Sequence, residues 1–259
     1  MTSYLIVRSL LLVYHCVRRV PVSIRSKLQS IADQLDNVNR TTFEQKTALI
    51  LDSGIVSEED MLIALHNQSL SSKLRAAICW ILLYFDEDVT VPGLLAVLEG
   101  AENDFVVRKA ACEVLSFFRD YRAISVYAKL INEDINPEIR QISAYALGQI
   151  AHESAVEPLI HRLNALNEIP VVRAQIFESL AYLGAKRAVP TLVEALDDNS
   201  VEVRFWATFA LGHLGESSEI SELERITSDN AMVESWGSVG REASDAIKHI
   251  QDRIDLSQE

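Results

Sequence analysis

Glycine and proline are scarce in this chain, at 9 and 6 of 259 residues. Strand-and-turn architectures consume far more of both, so an all-β fold is a poor fit. Cysteine is nearly absent: Cys16, Cys79 and Cys112 are an odd number with no Cys-x-x-Cys pair. That excludes a disulfide framework and a cysteine zinc site, and it fits a reducing, cytoplasmic setting. Basic residues are outnumbered 24 to 37, leaving a net charge of −13. Duplex nucleic acid needs a basic face, and none is visible; an acidic surface favours solubility and basic partners. No glycine-rich phosphate loop, Gly-x-Ser-x-Gly elbow or His-Glu-x-x-His motif occurs.

Long apolar runs are missing too. Tyr4 to Val20 comes nearest, through Leu10-Leu11-Leu12-Val13, but Arg8 and His15 interrupt it and Arg18-Arg19 close it. A membrane span needs roughly 20 unbroken apolar residues, and a signal peptide carries its charge before the apolar run. Residues 1–20 therefore read as an apolar helix or extension packed on the end of the domain, with membrane contact and a signal as the rival readings.

What the chain has in quantity is hydrophobic residues, 49% of the total with alanine and leucine prominent, and a repeat. Five arginines sit in matching contexts: Leu74-Arg75-Ala76, Val107-Arg108-Lys109, Ile139-Arg140-Gln141, Val172-Arg173-Ala174 and Val203-Arg204-Phe205. They are 33, 32, 33 and 31 residues apart, and seven residues after each comes Leu82, Leu115, Leu147, Leu180 or Leu211. A second helical segment precedes each arginine, as in Val91–Leu98, Ala155–Leu163 and Ala188–Leu196. Pro158 and Pro190 fall in first turns, where proline removes no intrahelical bond. Asp197-Asp198-Asn199-Ser200 supplies helix N-caps, and Gly184 and Gly215 sit where left-handed C-caps belong. One such pair cannot bury its own apolar stripe, so pairs must stack. The expectation is an all-α, right-handed α-solenoid of about six to seven HEAT-like helix pairs over residues 21–254, with 255–259 as a tail. Ser23–Asn37 with Thr42–Leu51, and Glu219–Thr227 with Gly240–Ile254, are its terminal pairs. The arginines should form a structural ladder to turn residues such as Asp104 and Asn136.

Ile139-Arg140 through Ala146-Leu147-Gly148, and Ala188-Val189-Pro190 through Ala210-Leu211-Gly212, resemble the HEAT-like repeats named after phycobilisome lyases, over roughly residues 57–250. That resemblance implies the fold; its members include scaffolds, chaperones, bilin lyase subunits and toxin-neutralising proteins. Deoxyhypusine hydroxylase is similar, but its metal-binding His-Glu pairs directly follow the repeat arginine. Here those places hold Lys109-Ala110, Gln141-Ile142, Ala174-Gln175 and Phe205-Trp206, and the lone His152-Glu153 falls in a turn. No metal, cofactor or catalytic residue is therefore assigned.

A partner-binding stripe follows from helix geometry. With the arginine as zero and about 100° per residue, positions −1, +3, +7 and +10 face the core and +1, +5 and +9 face away. The inner helices of a solenoid line its concave face. The stripe so predicted is Trp80, Tyr84, Lys109, Glu113, Phe117, Tyr145, Glu178, Tyr182, Phe205, Phe209 and His213. Its aromatic content suits an interaction face. The alternative is that Phe205, Trp206 and Phe209 pack on the next repeat. The leading function is a non-catalytic scaffold or regulatory module for a protein partner, basic in character. The rivals are a bilin lyase-type subunit or chaperone that holds a tetrapyrrole, and a toxin-neutralising protein, which Val203–Gly212 resembles.

Overall fold

The computed structural model describes residues 37–55, 57–100, 102, 104–165 and 168–256. The helix expected in residues 1–20, the segment from Ser23 up to Asn37, Cys16, and residues 257–259 of the tail lie outside them. The chain divides into two compact units, one ending at Phe118 and the other starting at Arg119.

The first unit holds α1 (Asn37–Asp52), α2 (Glu58–His66), α3 (Ser72–Leu82), α4 (Glu87–Glu99) and α5 (Phe105–Phe118). The inner helices α1, α3 and α5 pack in sequence, with α2 against α3 and α4 against α5. Helix starts are set by side-chain caps. Ser57 accepts from the Asp60 amide, Ser71 from Leu74, and Asp86 from Asp88, each satisfying an N–H that has no intrahelical acceptor.

The second unit holds α6 (Ile124–Glu133), α7 (Pro137–Ile150), α8 (Val156–Leu163), α9 (Pro170–Tyr182), α10 (Val189–Glu194), α11 (Val201–Leu214), α12 (Ile220–Ile226) and α13 (Val239–Leu256). Its inner row is α7, α9, α11 and α13; α6, α10 and α12 lean on α7, α11 and α13, and α8 on α6 and α9. Pro137 and Pro170 open two inner helices, and Pro158 and Pro190 fall in first turns as expected. The fold is all-α with HEAT-type helix pairs, each unit being a stretch of α-solenoid.

The core register follows the sequence. The leucines seven places after each arginine are at most 1% exposed, and Val107, Ile139, Val172 and Val203 are fully buried. Gly148 has a packing reason for being glycine. A Cβ there would meet Ser179 of α9 at 2.8–2.9 Å, including its Cα, so backbone and not a movable side chain blocks it. Ser179 also donates from its hydroxyl to the Ala144 carbonyl at 2.8 Å, tying α9 to α7. Gly148→Ala should destabilise by about 1–3 kcal/mol, the usual cost of overpacking. Urea titration followed by circular dichroism measures it.

Three local expectations change. Gly184 is left-handed (φ +66°) as expected, but Gly215 is extended, with φ −69° and ψ 160°. Its lack of a side chain serves close approach instead: a Cβ would lie 2.7 Å from the Leu211 carbonyl. Gly54 after α1 is left-handed too (φ 82°), and Arg119 and Ala151, at φ 52° and 54°, take that conformation without being glycine. The tail is helical as far as Leu256. Between α12 and α13 the chain forms a small antiparallel hairpin, β1 (Met232–Val233) with β2 (Gly237–Ser238), pairing Met232 with Ser238 and Val233 with Gly237. Nothing in Glu234-Ser235-Trp236 carries a standard hairpin-turn signature.

Candidate functional site

Four of the five repeat arginines, Arg75, Arg140, Arg173 and Arg204, form a ladder, with different partners from those expected. Arg140 donates from Nε and Nη2 to both oxygens of Glu168 at 2.7 Å, and from Nη1 to the Asp134 and Ile135 carbonyls at 2.8 and 3.1 Å. Arg204 donates to Asp229 at 2.9 Å and to the Asp198 carbonyl at 2.8 Å. Arg173 reaches Asp198, and Arg75 pairs with Glu102 while giving Nε to the Leu65 carbonyl at 2.8 Å. Each carboxylate lies 25 to 28 residues beyond its arginine. Each also accepts a backbone N–H in its own turn: Asp104 to Glu102, Ile169 to Glu168, Ser200 to Asp198 and Ala231 to Asp229. Asp104 instead receives the Ser72 hydroxyl and the amides of Val106 and Val107, and Asn136 caps α7 through the Glu138 amide at 2.9 Å. These four side chains point into turns, so their ladder is structural.

The predicted stripe lies on the inner helices, unevenly exposed. In the first unit Trp80, Tyr84, Lys109, Glu113 and Phe117 are all half-buried. Trp80 meets Phe117 with ring centres 6.1 Å apart, and Lys46 Nζ lies 4.5 Å above the Trp80 ring. Tyr84 meets Phe43 edge to face at 5.0 Å. Burial lowers the Lys46 pKa, and the Glu113 carboxylate offsets part of that. Much of this aromatic surface is thus already covered by the unit's own side chains.

In the second unit Tyr145 is half-buried, Tyr182 is 49% exposed and His213 is exposed. Two members of the stripe are interior. Phe205 is 2% exposed and Glu178 6%. The reason is that α11 is gripped on both flanks, by α9 and α13. With Arg204 at zero, its buried residues span from about 240° through zero to about 100°, and Phe205 lies at that last edge. The face left open is a narrow wedge at about 140–200°, occupied by Glu202, Trp206, Phe209 and His213. Glu178 falls in the open direction on α9, but Gln175 donates to it at 2.7 Å and the Tyr182 hydroxyl at 3.3 Å, closing over it. Burial pushes its carboxyl pKa up, and those two donors offset part of the rise.

Two residues outside the predicted stripe complete the surface. Trp206, half-buried, meets Phe209 at 5.3 Å and Trp236 at 5.1 Å, both edge to face. Trp236, carried by the hairpin, is 55% exposed. Tyr182 joins through Phe209 at 6.2 Å, and His213 stacks on Phe209 at 4.3 Å. The result is a continuous row of rings, Tyr182–Phe209–Trp206–Trp236, with Phe205 beneath it. The signal for Trp206 was present as an i, i+4, i+7, i+11 series from Glu202; Trp236 had none, because its place depends on the hairpin.

Among the described residues no three His, Cys, Asp or Glu side chains gather as a metal site would require, and no helix is long and apolar enough to cross a membrane. Cys79 and Cys112 are buried thiols outside any disulfide; burial pushes the Cys79 thiol up to about 12, far from a reactive thiolate.

A family model described as HEAT repeats matches residues 59–148, 91–169 and 156–237. The chain belongs to the HEAT-repeat family. No curated protein matches it. Among solved structures, this HEAT-repeat protein is similar to the complex of CpcE and CpcF of phycocyanin lyase from Nostoc sp. PCC7120. The TM-score is 0.54 at 20% identity, covering 68% of this chain and 72% of that one. An engineered protein matches with a TM-score of 0.50 at 19% identity, covering 75% and 96%. At such identities the likeness is one of fold.

Proposed function

We propose that this HEAT-repeat protein is a non-catalytic binding module that holds a basic segment of a partner protein on the inner-helix face of its second unit. The observation that carries the reading is the ring series Tyr182, Phe209, Trp206 and Trp236, exposed at its two ends and half-buried between them. Edge-to-face contacts keep these rings ordered, so little side-chain freedom is lost when a partner covers them, and Trp and Tyr are common anchors of interfaces. The ring faces carry negative potential that attracts guanidinium and ammonium groups. Glu202 lies one helical turn before Trp206 and Glu234 two residues before Trp236, both exposed, and the chain as a whole carries −13. A cationic, arginine-containing segment meets both the rings and the carboxylates.

The test is calorimetric titration with a short arginine-rich peptide and with its glutamine-substituted counterpart. Wild type should prefer the arginine peptide, and the pair Trp206→Ala, Trp236→Ala should weaken that binding by about tenfold or more, the loss of two anchoring rings. Indifference to the arginines, or an unchanged affinity in the double variant, sinks the reading.

A second reading is a protein that holds an open-chain tetrapyrrole, favoured by the fold likeness to the phycocyanin lyase complex and by a row of rings on which a flat conjugated pigment can stack. A visible absorption shift on mixing with phycocyanobilin, lost in the same double variant, would support it; an unaltered pigment spectrum would remove it.

A further inference from the structure

His213 on α11 and His249 on α13 are both exposed, with ring centres 6.1 Å apart. His213 Nδ1 lies 3.0 Å from the Phe209 carbonyl, one turn earlier on the same helix. A carbonyl oxygen only accepts, so in the neutral ring Nδ1 carries the proton and Nε2 keeps its lone pair. A ring with one nitrogen held by a carbonyl is the state in which the other nitrogen ligates a metal. A tilted contact with the Phe209 ring, centres 4.3 Å apart, further restrains it.

The spacing fits a shared ion. A metal–nitrogen bond of about 2.0–2.1 Å places the ion about 3.2 Å from the ring centre. Two rings on one ion then have centres about 5.2 Å apart at a tetrahedral angle and up to about 6.4 Å when opposed. The observed separation lies between these limits. Asp245 and Asp252, both exposed, stand one turn either side of His249 on α13 and add negative potential. Against them stand Lys248 and Arg253, the latter held by the neutral Gly212 and Gly215 carbonyls at 2.5 and 2.6 Å, while Arg241, 4.0 Å from Asp245, offsets part of that carboxylate.

We infer that His213 and His249 together bind one divalent transition-metal ion of the zinc class, as an open two-histidine site whose remaining positions hold water. Imidazole donors select zinc, nickel or copper over magnesium and calcium. The site borders the partner surface through His213 and Phe209, but neither Trp206 nor Trp236 is a ligand, so loss of zinc binding and loss of peptide binding are separable.

Titration calorimetry of the full chain with zinc chloride tests it, with magnesium chloride as the comparison. One zinc per chain should bind, magnesium should give no such heat, and His213→Ala or His249→Ala should each weaken zinc by more than about tenfold. Both histidines are exposed, so the variants should keep the wild-type circular dichroism spectrum; His249→Gln serves if His249→Ala does not. Absence of zinc binding, equal binding of magnesium, or a zinc site that survives loss of both histidines overturns the assignment.

Discussion

Glu168→Ala should lower the unfolding free energy by about 3–5 kcal/mol, the cost of leaving buried cations without their partner. The Glu168 side chain is fully buried and joins Arg140, 10% exposed, to Arg162, 17% exposed. Truncation strands two guanidinium groups and also orphans the Ile169 amide. Glu168→Gln keeps an acceptor and should cost less. Burial alone would push the Glu168 carboxyl up, but donors from Arg140, Arg162 and the Ile169 amide outweigh it and hold its pKa below the ordinary value of 4.5. A carboxylate whose folded pKa is depressed stabilises the fold above its unfolded pKa and loses that contribution as pH falls through the folded one. Asp198 and Asp229 shift in the same direction, so stability should decline below about pH 4.5. Urea midpoints across that range should show a shallower acid slope in Glu168→Gln than in wild type. A parallel slope would mean that this carboxylate is not linked to folding.

Phe205→Ala should cost about 3–5 kcal/mol as well, by a different route: a vacated aromatic site in the core. Phe205 touches Trp206 at 5.5 Å and Trp236 at 6.5 Å from beneath, so its removal also loosens the two rings proposed to meet a partner. Trp206→Ala removes a half-exposed ring and should cost less stability. Thermal unfolding ranks the two variants. If Phe205→Ala melts at or above Trp206→Ala, Phe205 is not the buried support described for it.

The repeat, the core register and the turn prolines were legible in the sequence because they are local. Val107, Ile139, Val172 and Val203 recur at a fixed place before a helix turn, and periodicity alone puts them inside. The stripe was legible only in part. Treating each inner helix as having one buried side put Phe205 outside, whereas α9 and α13 bury both flanks of α11. Glu178 reads as a solvated charge until Gln175 and Tyr182, three and four residues away, are seen to close over it. The ladder's arginines were plain, but their acceptors were not. Glu102, Glu168, Asp198 and Asp229 are of two residue types at shifting distances, and no fixed-spacing pattern picks them out.

That shifting distance has a consequence for how such chains can vary. Each of these four arginines clips to a carboxylate that is itself pinned to a nearby backbone amide, so the clip sets where the following inner helix begins across spans that vary from 25 to 28 residues. Residues can be gained or lost in the linker ahead of the carboxylate without re-tuning the joint. The same joint recurs at Arg140, Arg173 and Arg204. Within the second unit, a whole period could therefore be duplicated or excised by recombination with matching chemistry at both new seams.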